Sequence, residues 1–323
     1  MIIVTWNFEH LVKVKTRKSV MNNPVQKSGK VPASAKAALG IACFFWAISF
    51  IATKVAVESV PPFTLVTLRL LISSGCFIIW FIVRGSMPKY EGSQWLGRLF
   101  ILSLFGTGLH YSIQTIGLKY TTASNASIYS VTGPLTILVI AILFLGEKLT
   151  FKKAAGLIIA IAGVIIVMGI RTLASFDVKG HMAGDLLVFA SIFMWGVFTV
   201  LGKSMTNRMN ALELTAIVTL IGSFFMIPFG LFEVRANSFS ILSISREAWL
   251  AIAFLGVTCS FLATLLYFKA LAQTESQKVG VYLYTIPPMT YIAASFYLGE
   301  KIGPNLIIGS IFVLAGVYLT ENG

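Results

Sequence analysis

The chain has 323 residues, of which 57% are hydrophobic and only 11% charged, with a formal net charge of +13. Soluble globular chains carry roughly 25% charged residues, so this composition excludes a protein that covers a large water-facing surface. One bilayer span takes about 20 mainly apolar residues, and the length accommodates ten such spans with short loops and no sizeable soluble domain.

Residues 1–35 form a basic tail with Lys13, Lys15, Arg17, Lys18, Lys27 and Lys30. The tail has no apolar signal core followed by a small-residue cleavage site, and Met21 offers a second start. Apolar runs follow at 36–56, 63–83, 97–117, 122–145, 152–170, 183–203, 210–232, 248–271, 277–298 and 303–320. Runs of this length read as spanning helices, because a bilayer requires each segment to satisfy its own backbone hydrogen bonds.

Span one carries Trp46, Ser49 and Thr53, with Lys54 and Glu58 read as interfacial at its end. Span two holds Arg69, a costly placement of about 2.5–3.5 kcal/mol at a span centre. It reads either as a counter-charge for an anionic or zwitterionic solute, or as a salt bridge or carbonyl contact that holds the helix in its bundle, the second being the stronger. Span three sets Gly106, His110 and Gln114 at four-residue spacing on one face. Span four sets Asn125, Tyr129 and Thr132 on one face ahead of Pro134, and span five carries a small-residue stripe of Gly156, Ala160 and Gly163. Such stripes allow close helix packing, within one protomer or between two.

Span six offers Asp185, Ser191, Trp195 and Thr199; span eight Ser260, Thr264 and Tyr267; span nine Lys278, Tyr282 and Thr285 ahead of Pro287-Pro288. Polar groups in hydrocarbon usually face the bundle interior or a wet cavity. Ser and Thr among them serve more often as glue between helices than as ligands. Trp46 and Trp195 lie inside spans, which suits packing or cavity lining equally. His110 reads either as a donor to a backbone carbonyl or as a functional group.

Most of the 25 Lys and Arg fall in the tail and in the loops after spans two, four, six and eight. The positive-inside bias then predicts both termini on the cytoplasmic side of the cell membrane. Leu-Gly-Glu-Lys occurs at 145–148 and again at 298–301, an offset of 153 that also relates Pro134 to Pro287, Gly156 to Gly309 and Ala162-Gly163-Val164 to Ala315-Gly316-Val317. Trp46 precedes Lys54 by eight residues, as Trp195 precedes Lys203. Two copies with five spans each place the second copy upside down, the arrangement from which alternating access follows. The expected fold is therefore all-α, with ten transmembrane helices in two inverted repeats at 36–170 and 181–320. Pro-interrupted spans four and nine point to the binding site.

Other chemistries lack their residues. Gly196 to Ser204 approaches a phosphate loop but has five residues between Gly196 and Gly202-Lys203-Ser204 where four are required. The three histidines are isolated, there is no His-Glu-x-x-His, and Cys43, Cys76 and Cys259 are scattered. No catalytic residue, metal or cofactor is assigned, and no enzyme activity is expected.

The Trp46-to-Lys54 pattern, Arg69, Pro134 with Leu145-Gly146-Glu147-Lys148, and their second-copy counterparts resemble the drug/metabolite transporter superfamily, specifically the ten-helix EamA-type transporters. The resemblance covers about residues 36–320. It implies export of small organic metabolites or drugs through a central cavity between the two repeats, with Trp46, His110, Tyr129, Trp195, Tyr267 and Tyr282 falling where the family lines that cavity. With Ser49, Gln114 and Asn125 these make the expected substrate-contacting set. The implied partners are a small organic solute and the lipid bilayer, with a homodimer open and no nucleic acid. A channel or lipid scramblase is the alternative, and Asp185 and His110 are the candidate proton carriers.

Overall fold

The computed structural model describes residues 31–85, 95–121, 126, 129–130, 132–168, 178–298 and 304–323, without the side chains of 167–168, 178–181 and 294–298. The described residues are helical with short connections. The rods are α1 (Ala33–Val57), α2 (Pro62–Arg84), α3 (Leu96–Tyr120), α4 (Thr132–Leu145), α5 (Phe151–Met168), α6 (Val178–Met205), α7 (Ala211–Ala236), α8 (Arg246–Gln273), α9 and α10 (Pro304–Glu321). The ninth rod is composite: Ser276–Val281, a 3-10 turn at Tyr282–Thr285, then Ile286–Leu298.

Local chemistry sets several of these ends. Pro62 occupies the first turn of α2, where a missing N–H costs nothing, and Gly85 closes that helix at φ +60°. The side chains of Asn210 and Ser245 accept from the backbone N–H groups of Glu213 and Ala248 at the starts of α7 and α8. Gly146, at φ +66°, follows the last residue of α4.

Among the described residues, α1, α2, α3, residues Met182–Met205 of α6, α7, α8 and α10 are each long and apolar enough to cross a membrane. The described part of α4 has 14 residues, α5 opens with Lys152 and Lys153, and α9 is interrupted. The outer surface is apolar: Val83, Leu143, Phe151 and Phe232 are at least 70% exposed. A soluble monomer rarely shows apolar patches on this scale, and the protein is a multi-pass membrane protein.

The bundle has two ends, here termed near (the start of α1) and far (its finish). Lys36 of α1 pairs with Glu321 of α10, so those two helix ends share the near side. Thr64 at the start of α2 meets Glu233 at the finish of α7 on the far side, its N–H and hydroxyl donating at 2.7 and 2.9 Å. Packing crosses between the chain's halves: α1 lies against α8 and α9, α6 against α3 and α4, α2 against α7, and α5 against α10.

The α5–α10 contact is the tightest of these. A Cβ at Gly156 would lie 2.6 Å from the Gly316 carbonyl, and one at Gly163 would lie 2.6 Å from Val313 N and 2.7 Å from the Gly309 carbonyl. The backbones therefore touch. The stripe expected to pack within or between protomers is filled by α10 of the same chain.

Two long helices change pitch midway, with π-helical stretches at Leu104–Leu109 in α3 and Leu255–Ala263 in α8. Such stretches widen the turn and release carbonyls. A break accompanies proline in α9. The 3-10 turn of α9 leads directly into Ile286, Pro287 and Pro288. In α4, Pro134 lies within Thr132–Leu145, and residues 129–130 ahead of it are helical as well.

Candidate functional site

A layer of rings crosses the middle of the bundle. Trp46 of α1 and Trp195 of α6 meet edge to face at 5.0 Å, and Tyr267 of α8 stands 5.2 and 5.5 Å from them. Phe198 packs on Trp195 at 5.1 Å and on Phe268 at 5.0 Å. Gly106 and Gly202 make room for this layer, since a Cβ at either would overlap the ring of Phe198 or Phe268. The Trp46 indole N–H donates to the Cys259 carbonyl at 3.4 Å, within the π-helical stretch of α8. The Tyr267 hydroxyl pairs with Thr199 at 3.0 Å.

On the far side of this layer lies a cavity with about 640 Å³ of empty space, its open mouth included. The enclosed part of it measures about 80 Å³. Its lining comes from Trp46, Ser49 and Phe50 of α1, Arg69 of α2, His110, Tyr111 and Gln114 of α3, Ser130, Gly133 of α4, Ile192 and Trp195 of α6, and Leu283 and Ile286 of α9.

His110 Nδ1–H donates to the Ser191 carbonyl at 2.7 Å, a tautomer assigned because a carbonyl only accepts. The bond fixes the imidazole 5.0 Å from Tyr111 and 5.1 Å from Trp195. Arg69 is 2% exposed. Its Nε donates to the Ser260 hydroxyl at 3.0 Å, and its guanidinium lies 4.0 Å from the centre of the Tyr111 ring. The contact foreseen for it as a salt bridge or carbonyl bond is thus a hydroxyl and an aromatic face.

Of the residues singled out from sequence, Trp46, Ser49, His110, Gln114 and Trp195 come together in this lining. Tyr267 is fully buried in the ring layer beneath it. Tyr129 stands aside, 6.4 Å from Phe189. Tyr282 turns towards the near end, where its hydroxyl donates to Glu321 at 3.1 Å. Asn125 lies outside the described residues. Tyr111, Phe50 and Ser130 also line the cavity, unmarked by any pattern in the sequence. Tyr111 follows His110 in sequence but faces the cavity through its stacking on Arg69, a contact between helices that spacing within one helix cannot show.

The near end is closed by charge. Lys36 pairs with Glu321, and Lys153 pairs with Glu275 while also donating to the Lys148 carbonyl at 3.0 Å. Glu147, of the first Leu-Gly-Glu-Lys, accepts the N–H groups of Ser276 and Gln277 at 2.8 and 3.1 Å. It thereby caps the start of α9, where a negative charge meets the positive end of the helix dipole.

Two lysines perform the converse task. Lys54 donates to the Leu118 and Thr121 carbonyls at 3.0 and 3.3 Å, at the finish of α3. Lys203 donates to the Leu271 and Thr274 carbonyls, both at 2.7 Å, at the finish of α8. Lys54 is thus a half-buried helix cap at the far end of the bundle. Among the described residues no group of three His, Cys, Asp or Glu side chains is placed to hold a metal.

The sequence profile of the EamA-like transporter family matches the chain twice, over residues 36–169 and 182–321. An uncharacterized transporter of Archaeoglobus fulgidus is 36% identical over 282 residues, covering 87% of this chain and 95% of its own length. The uncharacterized transporter YvbV of Bacillus subtilis is 26% identical and covers 88% and 90%. A crystal structure of a protein at 19% identity superposes with a TM-score of 0.71 over 89% of this chain and 97% of its own, a likeness of fold. The chain belongs to the EamA-like transporter family of the drug/metabolite transporter superfamily, whose members are transporters rather than enzymes.

Proposed function

We propose that the protein is a secondary transporter of small organic solutes, working by alternating access between two inverted repeats at residues 36–170 and 181–320. The observation that carries this reading is a mid-bundle cavity with a floor of rings and, beneath that floor, ion pairs and caps that tie one half to the other. A cavity sealed on one side by breakable polar contacts suits a carrier better than a continuous pore. Export as the direction, the cell membrane as the site and the near end as the cytoplasmic face follow the family resemblance and the charge bias of the loops.

Reciprocal contacts support the inverted arrangement. Gly156 faces Gly316 and Gly163 faces Gly309, so each glycine meets the other's counterpart at an offset of 153. That is the pattern expected of a two-fold axis. Lys54 and Lys203 cap α3 and α8 at carbonyls 153 residues apart, and the π-helical stretches fall in the same pair of helices. Trp46 and Trp195, each eight residues before its lysine, meet each other at mid-bundle.

The test is counterflow in vesicles reconstituted with the purified chain. Saturable uptake accelerated by solute on the opposite side supports a carrier. Uptake that rises linearly with concentration, without acceleration, would indicate a channel. Loss of leaflet asymmetry of a fluorescent lipid would indicate a scramblase. Flux unchanged by a proton gradient would leave Asp185 and His110 without a coupling role.

A further inference from the structure

Among the described residues that line the cavity, Arg69 is the one with a permanent charge, and none is Asp or Glu. Buried guanidinium groups are normally paired with a carboxylate, commonly through two parallel hydrogen bonds. Here the ion pairs among the described residues are Lys36–Glu321 and Lys153–Glu275, both at the near end. The partners of Arg69 are neutral, the Ser260 hydroxyl at Nε and the Tyr111 ring against its face. Among the described residues no hydrogen bond reaches its two terminal nitrogens.

The side chain is nevertheless held in place. A Cβ at Gly256 would lie 2.9 Å from the Arg69 carbonyl and 2.7 Å from Ile72, so the glycine lets α8 approach α2 at this point. The approach brings Ser260, in the π-helical stretch of α8, under Nε. One edge and one face of the guanidinium are thus used to orient it, and the terminal fork is left for something else.

We propose that Arg69 is the anion-binding group of the cavity, and that the transported solute is a monocarboxylate on an aromatic or branched apolar body. The inference rests on the transporter reading above. The fork matches the two oxygens of a carboxylate in shape and charge. One cation neutralises one negative charge, which favours a monoanion over a phosphate. Among the described residues the lining carries no acid to receive an ammonium group, so a cationic solute faces Arg69 without a counter-charge and a zwitterion is half satisfied. Trp46, Phe50, Trp195, Ile192 and Ile286 surround the remainder with apolar surface.

The test compares head groups on constant bodies. Binding of 3-phenylpropionate and 4-methylpentanoate to the purified full-length chain is measured by calorimetry beside the matching amides and amines. The acids are expected to bind about tenfold or more tightly than their amides, the scale of a charge-assisted bond, with the amines weaker still. Arg69→Gln should bring each acid down to the level of its amide. Arg69→Lys should keep the preference with reduced affinity, and it serves should the Gln variant fail to assemble. If neither acid exceeds its amide in the wild-type chain, or if Arg69→Gln keeps the preference, the proposal is overturned. Vesicle flux separates the two readings. Arg69-dependent binding without flux supports the anion site and refutes transport; saturable flux indifferent to head group supports transport and refutes the site.

Discussion

The contact between α5 and α10 allows a stability prediction that uses the molecule as its own control. Replacing Gly163 by Ala puts a methyl group 2.6 Å from Val313 N, 2.7 Å from the Gly309 carbonyl and 2.9 Å from the Phe312 Cβ. Carbon contacts are comfortable from about 3.5 Å, and backbone atoms cannot rotate aside, so the helices must part by about 1 Å. Overpacking of this kind costs about 1–3 kcal/mol. Ala also gains about 0.8–1.0 kcal/mol over Gly in helix propensity, which would mask part of the loss. Gly75 in α2 has nothing within 4 Å of its Cβ position, so Gly75→Ala takes the propensity gain alone. The gain cancels in the comparison, and Gly163→Ala should be less stable than Gly75→Ala by about 1–3 kcal/mol. Reversible unfolding by dodecyl sulfate in mixed micelles measures both. Equal stabilities would refute the direct backbone contact.

Other predictions follow from the capping contacts. Glu147→Ala strips two N–H groups of their acceptor and should cost about 1–3 kcal/mol; hydrogen exchange at Ser276 and Gln277 should quicken, while Glu147→Gln should recover part of the protection. Lys54→Met and Lys203→Met each leave two carbonyls without a donor, and similar losses of about 1.5–3 kcal/mol are expected in a thermal melt. A loss in only one would break the equivalence of α3 and α8. His110→Phe keeps a ring beside Trp195 but drops the bond to Ser191; solute binding should weaken, and unchanged binding would remove His110 from the site.

The helices were legible because unbroken apolar length in a bilayer has one structural outcome. The offset of 153 was legible too, and its glycines pack on one another because backbone contact tolerates no side chain. The destinations of long polar side chains were not. Lys54 reads from sequence as a charge at a helix end, and only the neighbouring finish of α3 makes it a cap. Tyr267 and Tyr282 share the deep placement of Trp46, yet one turns into the ring layer and the other to Glu321. Spacing fixes a helical face and leaves open which neighbour that face meets. The cost of Arg69 is visible in the sequence, whereas its company, a hydroxyl and a ring, depends on α3 and α8.

The pairing of α5 with α10 also bears on the order of assembly. α5 is synthesised well before α10, the helix that covers its glycines. Until translation reaches Pro304, that stripe can be covered only by lipid or by another helix. This contact therefore closes only after α10 has been made, and a chain cut short before Pro304 would leave the glycine stripe of α5 open to wrong partners.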